Sequence, residues 1–274
     1  MIKDLKQRLS LGSILVAAII GLLIVDRDYF SAAAAIIFTV LALAAQQELY
    51  AMMSSGSSPV RKWWGAFIGA VALGAAWLAP DCRFELLCGS IVLYLIYEVL
   101  SCDVEGATNR ISATLLPVLI VPVLLSYAML LRQIEGDGWA WMVMLIVGCK
   151  AGDSSAYFVG SAIGKHRLSA KVSPNKSWEG AIASIIGASI GGYLVASNAF
   201  VVMPATELWL GAVIITNVGA QFGDLTESLL KRGCSSKDSG SVLPAFGGTF
   251  DMVDSFLIAA PSLYFFLLLM GKVS

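Results

Sequence analysis

Charge is scarce in this chain of 274 residues. Asp, Glu, Lys and Arg together make up 14% of it, against roughly 25% in an average soluble protein. A soluble fold of this size needs more polar side chains than that to cover its surface. Histidine occurs once, as His166, which excludes a His-cluster metal centre. The five cysteines, at positions 82, 88, 102, 149 and 234, form no Cys-x-x-Cys, and their spacings suit neither a zinc site nor a disulfide framework. Four of them lie in or beside apolar runs, where cysteine serves as a small hydrophobe. No Walker loop is present, since that pattern would need glycine at Val159 and Ser or Thr at His166. No basic tail points to nucleic acid, and none is expected as a partner.

What the chain has is apolar length. Hydrophobic residues are 58% of the sequence, against roughly 45–50% in soluble proteins, and the mean hydropathy is +0.80. A membrane-spanning helix needs about 20 mostly apolar residues. About nine such spans can be placed, at 9–25, 30–46, 63–79, 86–101, 111–131, 139–162, 178–197, 207–224 and 250–270. The first is too long for a signal peptide and lacks a cleavage pattern. The expected fold class is therefore all-α: a polytopic, multi-pass integral membrane protein forming one continuous membrane domain. No soluble domain is expected at either end, so any chemistry must be built from span ends and short loops. Gly65…Gly69 and Gly187…Gly191 have the spacing that lets helices pack closely.

Basic residues are distributed unevenly over the loops. With the N-terminus inside, the inside segments hold 13 of the 18 Lys and Arg residues and the outside segments hold 4, leaving Lys150 within a span. Positive charge accumulates on the cytoplasmic side. The expectation is that the N-terminus and the loops 163–177 and 231–249 share that face, so the active site faces the cytoplasm.

The halves differ in chemistry. Residues 1–140 read as structural, lipid-facing helices. Glu48 and Glu98 sit near span ends and read as helix-end residues, so replacing Glu48 is expected to matter little. Residues 141–274 hold the polar clusters. Lys150 and Asp153 share one helical face inside an apolar run, where an ionisable side chain defaults to a functional role. Ser173-Pro174-Asn175-Lys176-Ser177 offers cations, hydroxyls and a helix start near Ser177, all suited to phosphate. The densest group runs from Gly223 to Ser255 and includes Asp224, Glu227, Ser228, Lys231, Arg232, Asp251 and Asp254. Carboxylates at the end of one span and the start of the next, joined by a Lys/Arg/Gly loop, suit Mg²⁺ bound with phosphate oxygens, with the cations neutralising the rest.

At these residues the sequence resembles the phosphatidate cytidylyltransferase (CDP-diacylglycerol synthase) family. Ser228, Lys231, Arg232, Lys237, Asp238, Gly240, Pro244, Gly247, Gly248, Asp251 and Asp254 match that family's C-terminal pattern in register. The stretches 153–158 and 173–180 match further blocks in the same order, so the resemblance covers about residues 145–260. Phe246 and Met252 depart from the pattern, standing where the family has His and Arg.

The resemblance implies a membrane nucleotidyltransferase of phospholipid biosynthesis. It would transfer CMP from CTP to phosphatidate, giving CDP-diacylglycerol and pyrophosphate. The implied metal ligands are Asp224, Asp251 and Asp254, for Mg²⁺ with room for a second cation. Asp224, Asp251, Lys237, Asp238, Lys231 and Arg232 are the implied catalytic set. Ser173, Lys176, Ser228, Asp153, Gly247 and Gly248 are the implied substrate-binding set. The implied partners are CTP, a lipid phosphate, membrane lipid and, for the assembly, a second copy in a homodimer. The alternative is a divergent homologue that binds a lipid phosphate or nucleotide with weak turnover, or acts on another lipid phosphate.

Overall fold

The computed structural model describes Gly21, Arg27 and residues 32–53, 60–234, 236 and 248–273. The helices are α1 (Ala33–Met53), α2 (Lys62–Leu78), α3 (Arg83–Leu100), α4 (Ala107–Val118), α5 (Leu124–Arg132), α6 (Gly138–Ile163), α7 (Trp178–Asn198), α8 (Thr206–Gly233) and α9 (Thr249–Leu269). A short 3-10 turn, Pro80–Cys82, precedes α3. A π turn, Leu119–Val123, joins α4 to α5. Pro122 lies in that turn and has no backbone N–H to donate to the helical ladder.

Six of these segments are long and apolar enough to cross a membrane: Ala33–Met53, Ala107–Arg132, Gly138–Ile163, Trp178–Asn198, Thr206–Gly233 and Thr249–Leu269. Two further expected spans are helical where expected. One of them, α2, is 17 residues long, and the other, α3, includes Arg83, Glu85 and Glu98. The expected span 9–25 lies outside the described residues apart from Gly21. The fold class is all-α and suited to a membrane. The only strands among the described residues are β1 (Arg167–Ser169) and β2 (Ser173–Ser177), an antiparallel pair between α6 and α7. Helix α8 runs to Gly233, well past the expected end at 224, so that Glu227, Lys231 and Arg232 stand on a rigid helix.

The bundle is closed by small residues. Helix α6 lies along α7, and α8 along α9, which also touches α1 and α5. Both glycine pairs read from the sequence are contact points. A Cβ on Gly187 would meet Ser155, one on Gly191 would meet Val147, and Gly65 and Gly69 lie against Tyr50 and Gln46. A third pair, Gly219 and Gly223, was not picked out by the sequence reading. A Cβ on Gly219 would lie 2.9 Å from the Ala259 Cα, and one on Gly223 would lie 2.3 Å from the Asp254 carbonyl oxygen. Helix α8 therefore touches α9 backbone to backbone at the level of Asp224 and Asp254. Outward-facing positions are apolar: Ile182, Ile186, Ile190 and Leu194 form an exposed stripe on α7, as lipid contact requires.

The first half is tied together by a buried ion network. Arg110, only 1% exposed, donates Nε to Glu98 Oε2 at 2.9 Å and pairs with Asp103 at 3.0 Å. Arg61 donates to the other Glu98 oxygen at 3.2 Å. Glu98 thus joins the start of α2, the end of α3 and the start of α4. Nearby, Gln46 donates to the Gly65 carbonyl at 2.8 Å and Tyr50 to the Thr114 carbonyl at 2.5 Å, so α1 is locked to the same corner.

Removing one member of such a pair leaves the other uncompensated. Arg110→Met is therefore expected to lower the melting temperature of the detergent-purified protein sharply. The double variant Arg110→Met with Glu98→Gln should recover part of that loss. A double variant no more stable than the single one would refute the pairing as the source.

Candidate functional site

The site is built where α8 and α9 cross. Along α8, Asn217, Gln221, Asp224, Glu227 and Lys231 recur at steps of three and four, which places them on one helical face. On α9, Gly248 is the N-cap, and its N–H donates to Asp251 Oδ2 at 3.0 Å. Asp254 follows one turn later. Because Gly223 has no side chain, the two faces meet closely enough that carboxylate oxygens of Asp224, Glu227 and Asp254 all lie within 4.8 Å of one another. Glu227 is buried, and Asp224 and Asp254 are half-buried.

Three carboxylates this close repel one another strongly away from bulk water, and cations surround them. Lys176, at the end of β2, pairs with Asp224. Lys231, one turn further along α8, pairs with Glu227 and with Asp251 Oδ1 at 3.2 Å. Lys150 on α6 pairs with Asp153 at 3.2 Å and donates to Ser255 Oγ at 3.0 Å. Carboxylate oxygens in such a set are hard donors suited to a hard divalent cation, and among the described residues no histidine or cysteine joins the group.

Beside the carboxylates lies a cavity of about 680 Å³, lined by Asp153, Ser173, Lys176, Ser184, Gln221 and Asp224 among others. The hairpin forms one wall. Its end is stitched to α7 by a Trp178 N–H bond to the His166 carbonyl at 2.9 Å. Ser177 caps α7, its Oγ accepting from the Gly180 N–H at 3.2 Å, as the sequence suggested. Glu179, in that first turn, accepts from the His166 backbone N–H and lies 2.7 Å from its Nδ1. Gln221 and Ser184 also line the cavity, and Asn217 joins them from behind. Asn217 donates to Ser184 Oγ at 2.9 Å, and Gln221 donates to Asn217 Oδ1 at 3.0 Å.

The sequence-derived residues separate into groups. Asp153, Ser173, Lys176 and Asp224 all line the one cavity. Asp224 and Asp254 are together as expected, but their third companion is Glu227, not Asp251. Asp251 occupies the third position of α9, where a carboxylate satisfies the N-cap amide, and it faces Lys231, the Gly248 N–H and the Glu227 carboxyl. Gly248 is buried at that cap. Ser228 is half-buried and does not line the cavity, and Arg232 is exposed on the last turn of α8. Lys237, Asp238, Gly247 and Phe246 lie outside the described residues. Met252 is half-buried on α9.

Sequence reasoning missed the ladder of Asn217, Gln221 and Ser184. Its signal was the regular recurrence of polar residues through an apolar span. The reading of Glu48 as a bystander is also corrected. Its two carboxylate oxygens accept the N–H groups of Thr249 and Phe250 at 2.8 and 2.9 Å. A carboxylate on the first free amides of a helix is doubly favourable, through hydrogen bonding and through the helix dipole. Glu48 therefore fixes the start of the helix that holds Asp251 and Asp254.

Glu48→Gln keeps the shape but loses the charge and one acceptor. It is expected to speed amide hydrogen exchange across 248–254 by about tenfold or more, since hydrogen bonds to charged groups contribute about 1.5–3 kcal/mol. Unchanged exchange there would show that the tie does not hold α9 in place.

Comparison with known proteins bears on the same residues. The profile of the cytidylyltransferase family matches residues 6–270. A protein of Bacillus subtilis (strain 168) named phosphatidate cytidylyltransferase is 33% identical over 187 residues, covering 68% of this chain and 69% of its own length. One of the same name from Synechocystis is 30% identical over 298 residues, covering 97% and 98%. One from Brucella melitensis is 41% identical over 139 residues, and there the match spans half of each chain. With a profile match running nearly end to end over the span ends, hairpin and crossing helices described above, the chain belongs to the cytidylyltransferase family.

Proposed function

We propose that the chain transfers the cytidylyl group of CTP to phosphatidate, giving CDP-diacylglycerol and pyrophosphate, at the cytoplasmic face of a membrane. The observation that supports this best is the carboxylate trio Asp224, Glu227 and Asp254, ringed by lysines beside the cavity, in a family whose relatives have that name.

The chemistry asks little of the protein in the way of proton transfer. A phosphate oxygen of phosphatidate is already an anion and can attack the α-phosphorus of CTP directly. As the new P–O bond forms, the bond to the β-phosphate breaks and pyrophosphate leaves with the electron pair. Alignment and charge neutralisation are the main levers for such a transfer. Asp224, Glu227 and Asp254 would hold Mg²⁺. Bound there, it supplies positive charge to phosphate oxygens and to the leaving group. Lys176 and Ser173 on the hairpin face the cavity, where they would bind one phosphate group. Lys231, one turn beyond Glu227 on α8 and paired with it, would bind another. Asp251 keeps Lys231 oriented and the start of α9 closed. An apolar groove of about 510 Å³ between α6 and α7, lined by Val159, Ile163, Ile182 and Ile186 among others, faces outward. It would let acyl chains remain in lipid while the headgroup reaches the cavity.

The direct assay is incorporation of radiolabelled CTP into lipid by purified protein with phosphatidate and Mg²⁺. Turnover is expected, and none with any lipid phosphate tested would overturn the reading. Asp224→Asn, Glu227→Gln and Asp254→Asn should each reduce it by about a hundredfold or more, the scale on which losing a group that stabilises transition-state charge is felt. Asp251→Asn should lose less, since Asp251 is not one of the three converging carboxylates and meets them through Lys231 and the Glu227 carboxyl. Equal losses at Asp251 and Asp254 would restore Asp251 as a direct metal ligand.

The cytoplasmic placement rests on the asymmetry of basic residues. It is supported by the pairing of hairpin Lys176 with Asp224 and of Lys231 with Asp251, which brings the hairpin, the last turns of α8 and the start of α9 together. Single-cysteine variants at Lys171 and Ser236 are expected to be labelled from the cytoplasmic side only. Labelling from opposite sides would break the common site.

A further inference from the structure

Lys150 is a charged group that the proposed chemistry does not use, and its surroundings are specific. It lies in the middle of α6, a helix apolar enough to span a membrane, where an ammonium is costly unless it is paired. Its Nζ lies 3.2 Å from Asp153 Oδ2 and 3.0 Å from Ser255 Oγ, and 5.1 Å from the centre of the Phe256 ring, whose face attracts a cation. Ser255 and Phe256 directly follow Asp254 on α9, and Lys150 acts electrostatically on Asp254 as well as on Asp153. The three lysines of the site are thus shared out: Lys176 to Asp224, Lys231 to Glu227, and Lys150 to the inner side, between Asp254 and Asp153.

The positions of the lysines differ in one respect. Lys176 and Lys231 stand at the end of β2 and near the end of α8, where the chain leaves the bundle. Lys150 is anchored well inside α6 by an acid, a hydroxyl and an aromatic face. Ser255, its hydroxyl partner, is 1% exposed. The Lys150 side chain is 39% exposed, and these three contacts hold its ammonium beside the carboxylate cluster.

We propose that Lys150 is a positioning residue that serves as a fixed internal cation for the carboxylate cluster, balancing Asp254 and Asp153 so that the trio holds one divalent ion and Asp153 does not repel the phosphates entering the cavity. The proposal rests on the metal-dependent transfer described above. It has a consequence that a packing role lacks. Removing the ammonium makes the trio more negative, so a divalent cation should bind more tightly. It also leaves Asp153, which lines the cavity, without its lysine partner. The apparent affinity for the anionic nucleotide should then fall. Loss of packing would weaken both.

The test compares wild type, Lys150→Met and Lys150→Arg as full-length, detergent-purified proteins. Mn²⁺ alone is titrated and followed by electron paramagnetic resonance, and CTP kinetics with phosphatidate are measured separately. Lys150→Met should bind Mn²⁺ about tenfold more tightly, the order expected for removing one unit charge at close range in a medium of intermediate dielectric. Its KM for CTP should rise by a similar factor. Lys150→Arg, which keeps the charge, should stay within about threefold of wild type in both, on the same Coulombic ground. Weaker Mn²⁺ binding by Lys150→Met, or equal effects of Met and Arg, would overturn the proposal and assign Lys150 to packing. Wild-type protein that binds Mn²⁺ saturably yet makes no CDP-diacylglycerol would overturn the transfer reading but leave the affinity comparison decisive for Lys150. No saturable Mn²⁺ binding by wild type would overturn the metal site, and the proposal with it.

Discussion

The arrangement depends on the contact between Gly223 and the backbone of α9 at Asp254. Helices in a membrane gain little from apolar burial against each other, because lipid is equally apolar, so close approach of backbones through small residues does much of the packing. Here that approach has a chemical result. A side chain at 223 would push α9 away, and the oxygens of Asp224, Glu227 and Asp254 would no longer converge. The crossing also creates the problem that the rest of the site answers. Three acids gathered this closely need compensating charge; lysines from β2 and α8 pair with them, and Lys150 on α6 pairs with the neighbouring Asp153.

Seen this way, the first half of the chain is a frame for the second. Glu48 reaches from α1 to the first amides of α9, about two hundred positions along the chain. Tyr50 and Gln46, on the same helix, bind backbone groups of α2 and α4. That corner is fixed in turn by Glu98 with Arg61 and Arg110. The start of α9 is thus referred, through α1, to a buried ion network. A site that must hold phosphates and charge in register gains from such rigidity, since misplacement by about 1 Å can cost about a hundredfold in rate.

The hairpin has a complementary role. Lys176 and Ser173 stand on strands between two long helices, and Trp178, Ser177 and Glu179 clamp the hairpin to the start of α7. The cavity between hairpin and α8 presents Asp153, Ser173, Lys176 and Asp224, whereas the outer surface of α7 is apolar. A pocket with charged and hydroxyl side chains next to a lipid-facing stripe is what a reaction between a water-soluble nucleotide and a lipid headgroup requires.

Composition and hydropathy by themselves determined that this is an all-α membrane protein, because apolar run length reports directly on helices that span lipid. They also located most of the site: Asp153, Ser173, Lys176, Asp224, Lys231 and Asp254 stand out as polar residues in or beside apolar runs. Local spacing placed Asp224 with Glu227 on one helical face, and Asp251 with Asp254 on another. It could not say which members of the two faces would meet, because that is set by the crossing of α8 and α9. Only the tertiary structure joined Glu227 to Asp224 and Asp254, turned Asp251 to the helix cap, Lys231 and Glu227, and brought Glu48 from the quiet half to the start of α9. Helical periodicity is a property of neighbours in sequence. The convergence of charges from α1, α6, β2, α8 and α9 is a property of packing, decided here by where a glycine lets two backbones touch.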